Sequence, residues 1–384
     1  MRRVYLDNAA STPMDPEVLE QMLPYFCEYG GNPSSTHAHG RRLRNAIEEA
    51  RRTVAQCLGA APGEIYFTSG GTEADNTAIC GAVQAYGLQH IVTTRIEHHA
   101  VTHPVEHLEA AGKVSVTWLG VDRHGNISLD ELREALASHP RSLVSLMHAN
   151  NELGTLYDIA AIGEICKQYD ALFHSDTVQT MGQFAFDLSA LHVHFVTASA
   201  HKFYGPKGTG FLYIRKGVKI PPLIAGGGQE RNMRAGTENP ALITGLAFAL
   251  DKCCRTLEAK NEKLWGLKTH MMRRLQETLP GVTFNGETAP GRSIPTVLSV
   301  SPPCNDADCM LLFNLDLVGI SVSGGSACNA GAHIGSHVLR EIGASDSTLR
   351  NAIRFSFGMQ NTLEEIDYVI SQLQTQVSAM LAEA

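Results

Sequence analysis

Short apolar runs alternating with amphipathic stretches predict an α/β protein with a mostly parallel sheet covered by helices. Two further observations support this class. Several apolar runs end in small or polar residues at a glycine-rich loop, where the strands of such sheets bind ligands. Near Pro240 the texture changes, which predicts a second, smaller α+β unit.

Glu64-Ile-Tyr-Phe-Thr68 reads as a strand, followed by a helix over Glu73–Tyr86 whose apolar side is Ala74, Ala78, Ala82 and Val83. Strands follow at His90–Thr94, Lys113–Leu119, Leu143–His148 and Ala171–Ser175, with helices at Leu129–Leu136 and Ile159–Tyr169. Val193–Thr197 and Phe211–Arg215 are joined by a short loop, which predicts an antiparallel neighbour pair. Ala241–Leu279 shows a nearly continuous helical pattern up to Pro280-Gly281 and reads as the link between units. Beyond it lie a strand at Thr296–Val300, a helix at Asp306–Leu315, a strand at Gly319–Ser323 and a final helix from Thr362. The expected division is a large unit of residues 14–255 and a small unit of residues 1–13 with 256–384. Tyr5–Pro13 is too short to fold alone.

At 384 residues, 43% hydrophobic and 18% charged, this is an ordinary globular composition. A formal charge of −8 gives no footprint for nucleic acid or an anionic membrane. No window approaches the ~20 apolar residues of a membrane span, and Met1-Arg-Arg-Val runs into Asp7 without a signal-peptide core. The nine cysteines are scattered without a CxxC pair, which implies reduced thiols and a cytoplasmic setting.

Chemistry concentrates at the ends of the predicted strands. Thr68-Ser-Gly-Gly-Thr-Glu73 opens a helix with exposed backbone N–H groups, two hydroxyls and the positive helix end, a cup for a phosphate. The same segment also reads as an ordinary turn with Thr72 as N-cap. His98, in Glu97-His-His-Ala, can stack on a planar ligand or move a proton. His99, His103 and His107 have metal-like spacing, but no local carboxylate completes a site and Pro104 breaks the register, so no metal is expected. Asn150 and Asn151 follow a strand before Gly154, and Asp176 sits at another strand end, as a helix cap or as the counter-ion of a ligand cation. Lys202, in Ser199-Ala-His-Lys-Phe-Tyr-Gly-Pro, enters a glycine-rich loop after a further strand. A lysine taken alone is ordinarily a solvated surface group. An amine for an aldehyde, a carboxylate for a protonated ring nitrogen and a phosphate cup are together what pyridoxal 5′-phosphate requires.

The sequence resembles the cysteine desulfurases of the NifS/IscS-like kind, pyridoxal-phosphate enzymes of the class-V aminotransferase superfamily. Ordered motifs carry the likeness along the whole chain: Tyr5-Leu-Asp-Asn-Ala-Ala-Ser-Thr-Pro, Gly31-Asn-Pro-Ser-Ser, Thr68-Ser-Gly-Gly-Thr-Glu, Met147-His-Ala-Asn-Asn-Glu, His201-Lys-Phe-Tyr-Gly-Pro, Met233-Arg-Ala-Gly-Thr237, Ser326-Ala-Cys328 and Ile353-Arg-Phe-Ser. The resemblance implies a fold-type I transferase with a mostly parallel seven-stranded sheet sandwiched by helices. It makes Lys202 the cofactor-binding lysine and proton shuttle, and gives Gly71, Thr72, Ser199 and His201 the phosphate. His98 would stack on the ring as part of the catalytic set, Asp176 pair with its nitrogen, and Gln179 and Asn151 sit near its phenolic oxygen. Thr237 would reach the cofactor of a neighbouring subunit in a homodimer. Arg354, with Asn151 beside it, would bind the substrate carboxylate as a bidentate fork.

Cys328 is set apart from the other eight cysteines, which read as small buried hydrophobes. Its surroundings, Ser323-Gly-Gly-Ser-Ala-Cys-Asn-Ala-Gly331, are too glycine-rich and polar for a packed core. The family's run is of a Ser-Ser-Gly-Ser-Ala-Cys-Thr-Ser type, so the flanks differ while the cysteine remains. By the resemblance its thiolate takes sulfur from L-cysteine, leaving L-alanine and a persulfide. The sulfur would pass to an acceptor protein, a scaffold or carrier, in iron–sulfur cluster assembly or another thiolation pathway. A selenocysteine lyase, or another lyase or aminotransferase on the same scaffold, is the alternative.

Overall fold

The computed structural model describes residues 2–304, 310–324 and 335–382. In chain order the elements are β1 (Val4–Tyr5), α1 (Pro16–Cys27), α2 (Ala38–Cys57), β2 (Ile65–Thr68), α3 (Gly71–Tyr86), β3 (His90–Thr94), α4 (His99–Ala110), β4 (Ser115–Leu119), α5 (Leu129–Ser138), β5 (Leu143–Ser145), α6 (Ile159–Gln168) and β6 (Leu172–Asp176). They continue with β7 (Phe195–Ser199), β8 (Gly210–Ile214), α7 (Pro240–Arg255), α8 (Leu257–Thr278), β9 (Thr283–Asn285), β10 (Val297–Ser301), α9 (Leu311–Leu317), β11 (Ile320–Ser321), α10 (His337–Glu341), α11 (Asp346–Asn351), β12 (Ile353–Ser356) and α12 (Leu363–Ala382).

The large sheet has seven strands in the order β2-β8-β7-β6-β5-β3-β4. All pairs are parallel except those of β8, which runs antiparallel to both β2 and β7. The short loop from Lys202 to Thr209 therefore turns the chain back as its length predicts. Strands β3, β5, β7 and β8 are buried at every position, because helices cover both faces. On one face α3 and α4 close the core around Ala74, Ala78, Val101 and Val105. The opposite core gathers α2 and α7 with Val196, Phe173 and Phe211, and it also takes Val338 and Leu339 from α10.

The small sheet, β12-β10-β9, is antiparallel and packs with α8 and α12 around Leu267, Met271, Phe355 and Leu373. The N-terminal segment reaches the small sheet through a parallel bridge from Asp7 to Ser356 of β12, and it forms a separate two-stranded sheet with β11. Its β1 pairs in parallel with β11, while Thr12 N–H donates to His201 O at 2.8 Å.

Several elements differ from the sequence reading. The pattern over 241–279 is two helices broken at Thr256, whose hydroxyl returns to Lys252 O at 2.9 Å. No Gly or Pro marks the break. The helix expected at Asp306–Leu315 is described over Leu311–Leu317, with 305–309 outside the described residues. Of the cysteines read as buried, only Cys166 and Cys253 are fully so among the described residues, and Cys27 is exposed. No helix among the described residues is long and apolar enough to cross a membrane.

Candidate active site

Strands β5, β6 and β7 end side by side, and the segments leaving them line a cavity of about 290 Å³. Gly71, Thr72, His98, Asn151, Asp176, Gln179, Ser199, His201, Lys202 and Arg354 all face it. Residues separated by more than 280 positions are thus gathered at the strand ends, where α/β sheets bind ligands.

The anion cup is the start of α3. Gly70, at φ +158°, is its N-cap and supplies no side-chain cap, so the backbone donors of the first turn are left for another partner. Thr72 lies inside the helix, which overturns its reading as the N-cap. A Cβ on Gly71 would come within 2.8 Å of Val178 Cγ2, so only glycine lets the helix end approach the segment after β6 this closely. Ser199, at the end of β7, and His201 face the same opening. The ring of His201 is fixed by Nδ1, 3.2 Å from Ser11 Oγ.

Lys202 is half-buried, and its Nζ donates to Ala9 O at 2.5 Å and Ala10 O at 2.9 Å. Gln179 Nε2 donates to the same Ala9 carbonyl at 3.1 Å, so the N-terminal segment orients both side chains. His98 is the N-cap of α4: its Nδ1 accepts from Ala100 N at 3.1 Å, which leaves Nε2 to carry the proton. Burial and then the neighbouring Lys202 ammonium hold it neutral, pushing its pKa down to about 4.

Asp176 closes β6, and its Oδ1 accepts from Val178 N at 2.8 Å. Burial, with the nearby Asp75 carboxylate second, raises its pKa to about 7 despite the counteracting pull of Lys202. A buried carboxylate that is costly to ionise without a partner is suited to a ligand cation. Arg354, on β12, is buried; Nη2 donates to Asp7 Oδ1 at 2.9 Å and Nη1 to Asn151 O at 3.0 Å. Its Nε is buried and has no hydrogen-bond partner among the described residues.

Thr237 is not brought to this cavity. It is exposed, in a separate groove with Ser69, Glu230 and Arg234. That loop is pinned by the buried fork from Arg51 to Glu230, at 2.7 and 2.9 Å. Cys328 lies outside the described residues. The residues flanking its segment are anchored at the cavity: Ser323 Oγ donates to Asp7 Oδ1 at 2.7 Å, and Ser336 Oγ donates to Glu152. Neither Asp7 nor Glu152 is singled out by sequence. Glu97 is also new, a fully buried carboxyl that accepts from Met147 N at 2.9 Å. His99, at the cavity wall, stacks on His103 at 4.6 Å and meets the His337 ring at a tilt at 4.5 Å, and no metal-holding group occurs among the described residues.

A family description, aminotransferase class-V, matches residues 4–369, and the chain belongs to that family. Families of this class work with pyridoxal phosphate. Within it the chain stands with the cysteine desulfurases. It is 46% identical over 370 residues to the putative cysteine desulfurase IscS 1 of Bacillus subtilis, covering 95% of this chain and 96% of that protein. The cysteine desulfurase IscS of Clostridium botulinum is 44% identical over 374 residues, 97% of this chain and 94% of that protein. Among solved structures, a NifS-like protein superposes with a TM-score of 0.91 at 37% identity, covering 98% of this chain and 100% of that one. SspA in complex with cysteine superposes with a TM-score of 0.80 at 34% identity, over 92% of this chain and 98% of that one.

Proposed function

We propose that the protein is a cysteine desulfurase that takes sulfur from L-cysteine, leaves L-alanine and carries the sulfur on Cys328. The observation that carries this reading is the meeting of Lys202, Asp176, His98 and the uncapped start of α3 with Arg354 in one cavity. The relatives' names favour it over the selenocysteine lyase and aminotransferase alternatives.

The residues fit pyridoxal phosphate. The free N–H groups at Gly71 and Thr72, with Ser199 and His201, suit its phosphate. The raised carboxyl of Asp176 suits its ring nitrogen, His98 its ring face, Gln179 and Asn151 its phenolic oxygen, and Lys202 its aldehyde. Bound there, the cofactor supplies an electron sink for bonds at the substrate's α carbon. Arg354 binds the substrate carboxylate, its fork held in plane by Asp7 and the Asn151 carbonyl. Lys202 moves the proton at the α carbon. The Cys328 thiolate attacks the substrate sulfur; the S–C bond breaks with its electron pair on carbon, and protonation there completes alanine.

The unit of residues 14–255 would hold the cofactor, and residues 1–13 with 256–384 would carry the cysteine segment. Thr237 would serve the site of a second copy in a homodimer. A sulfur-acceptor protein in the cytoplasm, for iron–sulfur cluster assembly or another thiolation, would take the persulfide sulfur.

The test is to give cofactor-loaded protein L-cysteine and a reductant. Alanine and sulfide should appear in equal amounts, and Cys328→Ala should lose the sulfide while keeping the cofactor's visible absorbance. Full sulfide output from Cys328→Ala would sink the persulfide route.

A further inference from the structure

A second carboxylate lies against the floor of the cavity and has no part in the scheme above. Asp75 stands one turn beyond Gly71 on α3, on the same face of the helix. It is only 1% exposed, yet it lines the cavity. Its Oδ1 accepts from Thr197 Oγ1 at 2.7 Å. His174 Nε2 lies 3.2 Å from the same oxygen, angled off a hydrogen-bond line, and His174 Nδ1 is 2.8 Å from Ser145 Oγ.

The sheet register explains why these groups meet. Asp176 pairs with Thr197 across β6 and β7, and His174 is two residues from Asp176, so all three share one face of the sheet. Asp75 reaches down onto the same patch from which Asp176 rises. The charged or titratable groups facing this pair are His174, Lys202 and Glu97. His174 is held neutral, because burial pushes its pKa down to about 4. Glu97 is pushed well above its ordinary value, chiefly by burial and further by the Asp176 and Asp75 carboxylates. Two fully buried carboxyls therefore face one lysine, and burial drives each up to about 7. Like charges so placed do not both ionise without a compensating cation.

We propose that Asp75 is a positioning residue acting through Asp176: the two carboxyls hold one proton between them until a pyridine ring docks, and docking makes them give it up. The proton passes to the ring nitrogen when the ring arrives unprotonated, and to water when the ring arrives already protonated. In both cases two carboxylates then face one ring cation. The inference rests on the pyridoxal-phosphate reading of the cavity and assigns it a second carboxylate.

The experiment is calorimetric titration of the cofactor-free protein with 4-deoxypyridoxine 5′-phosphate, near neutral pH, in two buffers of different ionisation enthalpy. This probe has the ring and phosphate but no aldehyde, so Lys202 forms no bond to it. The parent should release about one more proton per ring bound than Asp75→Asn, because the variant has no shared proton to lose. Equal proton counts in two proteins that both bind the probe would overturn the proposal. If Asp75→Asn does not fold, Thr197→Val takes its place. Loss of the hydroxyl donor raises the proton affinity of Asp75, so proton release should persist to a pH higher by on the order of one unit. An unchanged pH profile in Thr197→Val overturns the proposal equally. Failure of the parent to bind the probe at all would instead sink the cofactor reading.

Discussion

At the residue scale, the side chains legible in the sequence were those that end strands. Lys202, Asp176 and His98 each follow an apolar run, so their place at one edge of the sheet could be read from pattern alone. Asp7 could not, because its meaning depends on Arg354, 347 residues away. Asp75 and Glu97 were hidden for the same reason: nothing in a helical or strand pattern marks an acid that will be buried beside another acid. Arg354 was assigned by resemblance, and its geometry makes the assignment testable. Asp7 and the Asn151 carbonyl hold the guanidinium, and its buried Nε has no partner among the described residues. A lysine has no fork and keeps neither contact in the same plane. Arg354→Lys should therefore lower kcat/KM for cysteine by about 10- to 100-fold, the range of a charge-assisted bidentate contact. The cofactor's absorbance should stay as in the parent. Undiminished kcat/KM in this variant would remove Arg354 from the substrate site.

At the element scale, the start of α3 shows how local composition can mislead. Thr72 satisfies every compositional rule for an N-cap. The helix nevertheless begins two residues earlier, because Gly70 adopts a conformation closed to other residues and Gly71 packs against Val178. What opens the helix end is the absence of a cap, and absence leaves no mark in a sequence. The break at Thr256 was equally silent, for α7 packs into the large core and α8 into the small one. The sequence reading assigns no element to α2, although its Leu43, Ile47, Ala50 and Val54 recur at helical spacing and are buried. The close approach at Gly71 yields a prediction. In Gly71→Ala the new methyl meets Val178 Cγ2 at 2.8 Å, and a β-branched side chain in a full cavity wall has little freedom to turn away. Val178 N–H also donates to Asp176, so the displacement reaches the ring-nitrogen carboxylate. The variant should lose about 1–3 kcal/mol of stability from overpacking. Its affinity for pyridoxal phosphate, followed by visible absorbance, should fall at least about tenfold, the equivalent of 1.4 kcal/mol. Unchanged cofactor affinity would mean that the helix start is not the phosphate cup.

At the scale of the whole molecule, the class of the fold was plain from the alternation of strand and helix, whereas its internal electrostatics were not. Six histidines, His90, His98, His148, His174, His194 and His201, are each driven down to about 4, in every case chiefly by burial. In the unfolded chain they titrate near 6.5, so between that pH and about 4 the unfolded state binds protons that the native state refuses. Above 6.5 they cost nothing; as pH falls through the window, stability is lost. For the fully buried His148 and His174 the loss is on the order of 3 kcal/mol each. Asp75 and Asp176 act in the opposite sense. Raised from 3.8 to about 7, they contribute stability at low pH that is lost as pH rises through 7. Glu97 and Glu152, also raised by burial, add to that opposing group. Near pH 5 the six histidines outweigh the four carboxyls, and the net slope is toward lower stability in acid. Thermal unfolding of the cofactor-free protein should show a melting temperature lower at pH 5 than at pH 7. His148→Gln sharpens the test, since it removes one refused proton: the stability lost between pH 7 and pH 4 should be smaller in the variant than in the parent. Equal losses in the two proteins would show that His148 is not held neutral by burial, and the account of the core as a proton-refusing interior would fail with it.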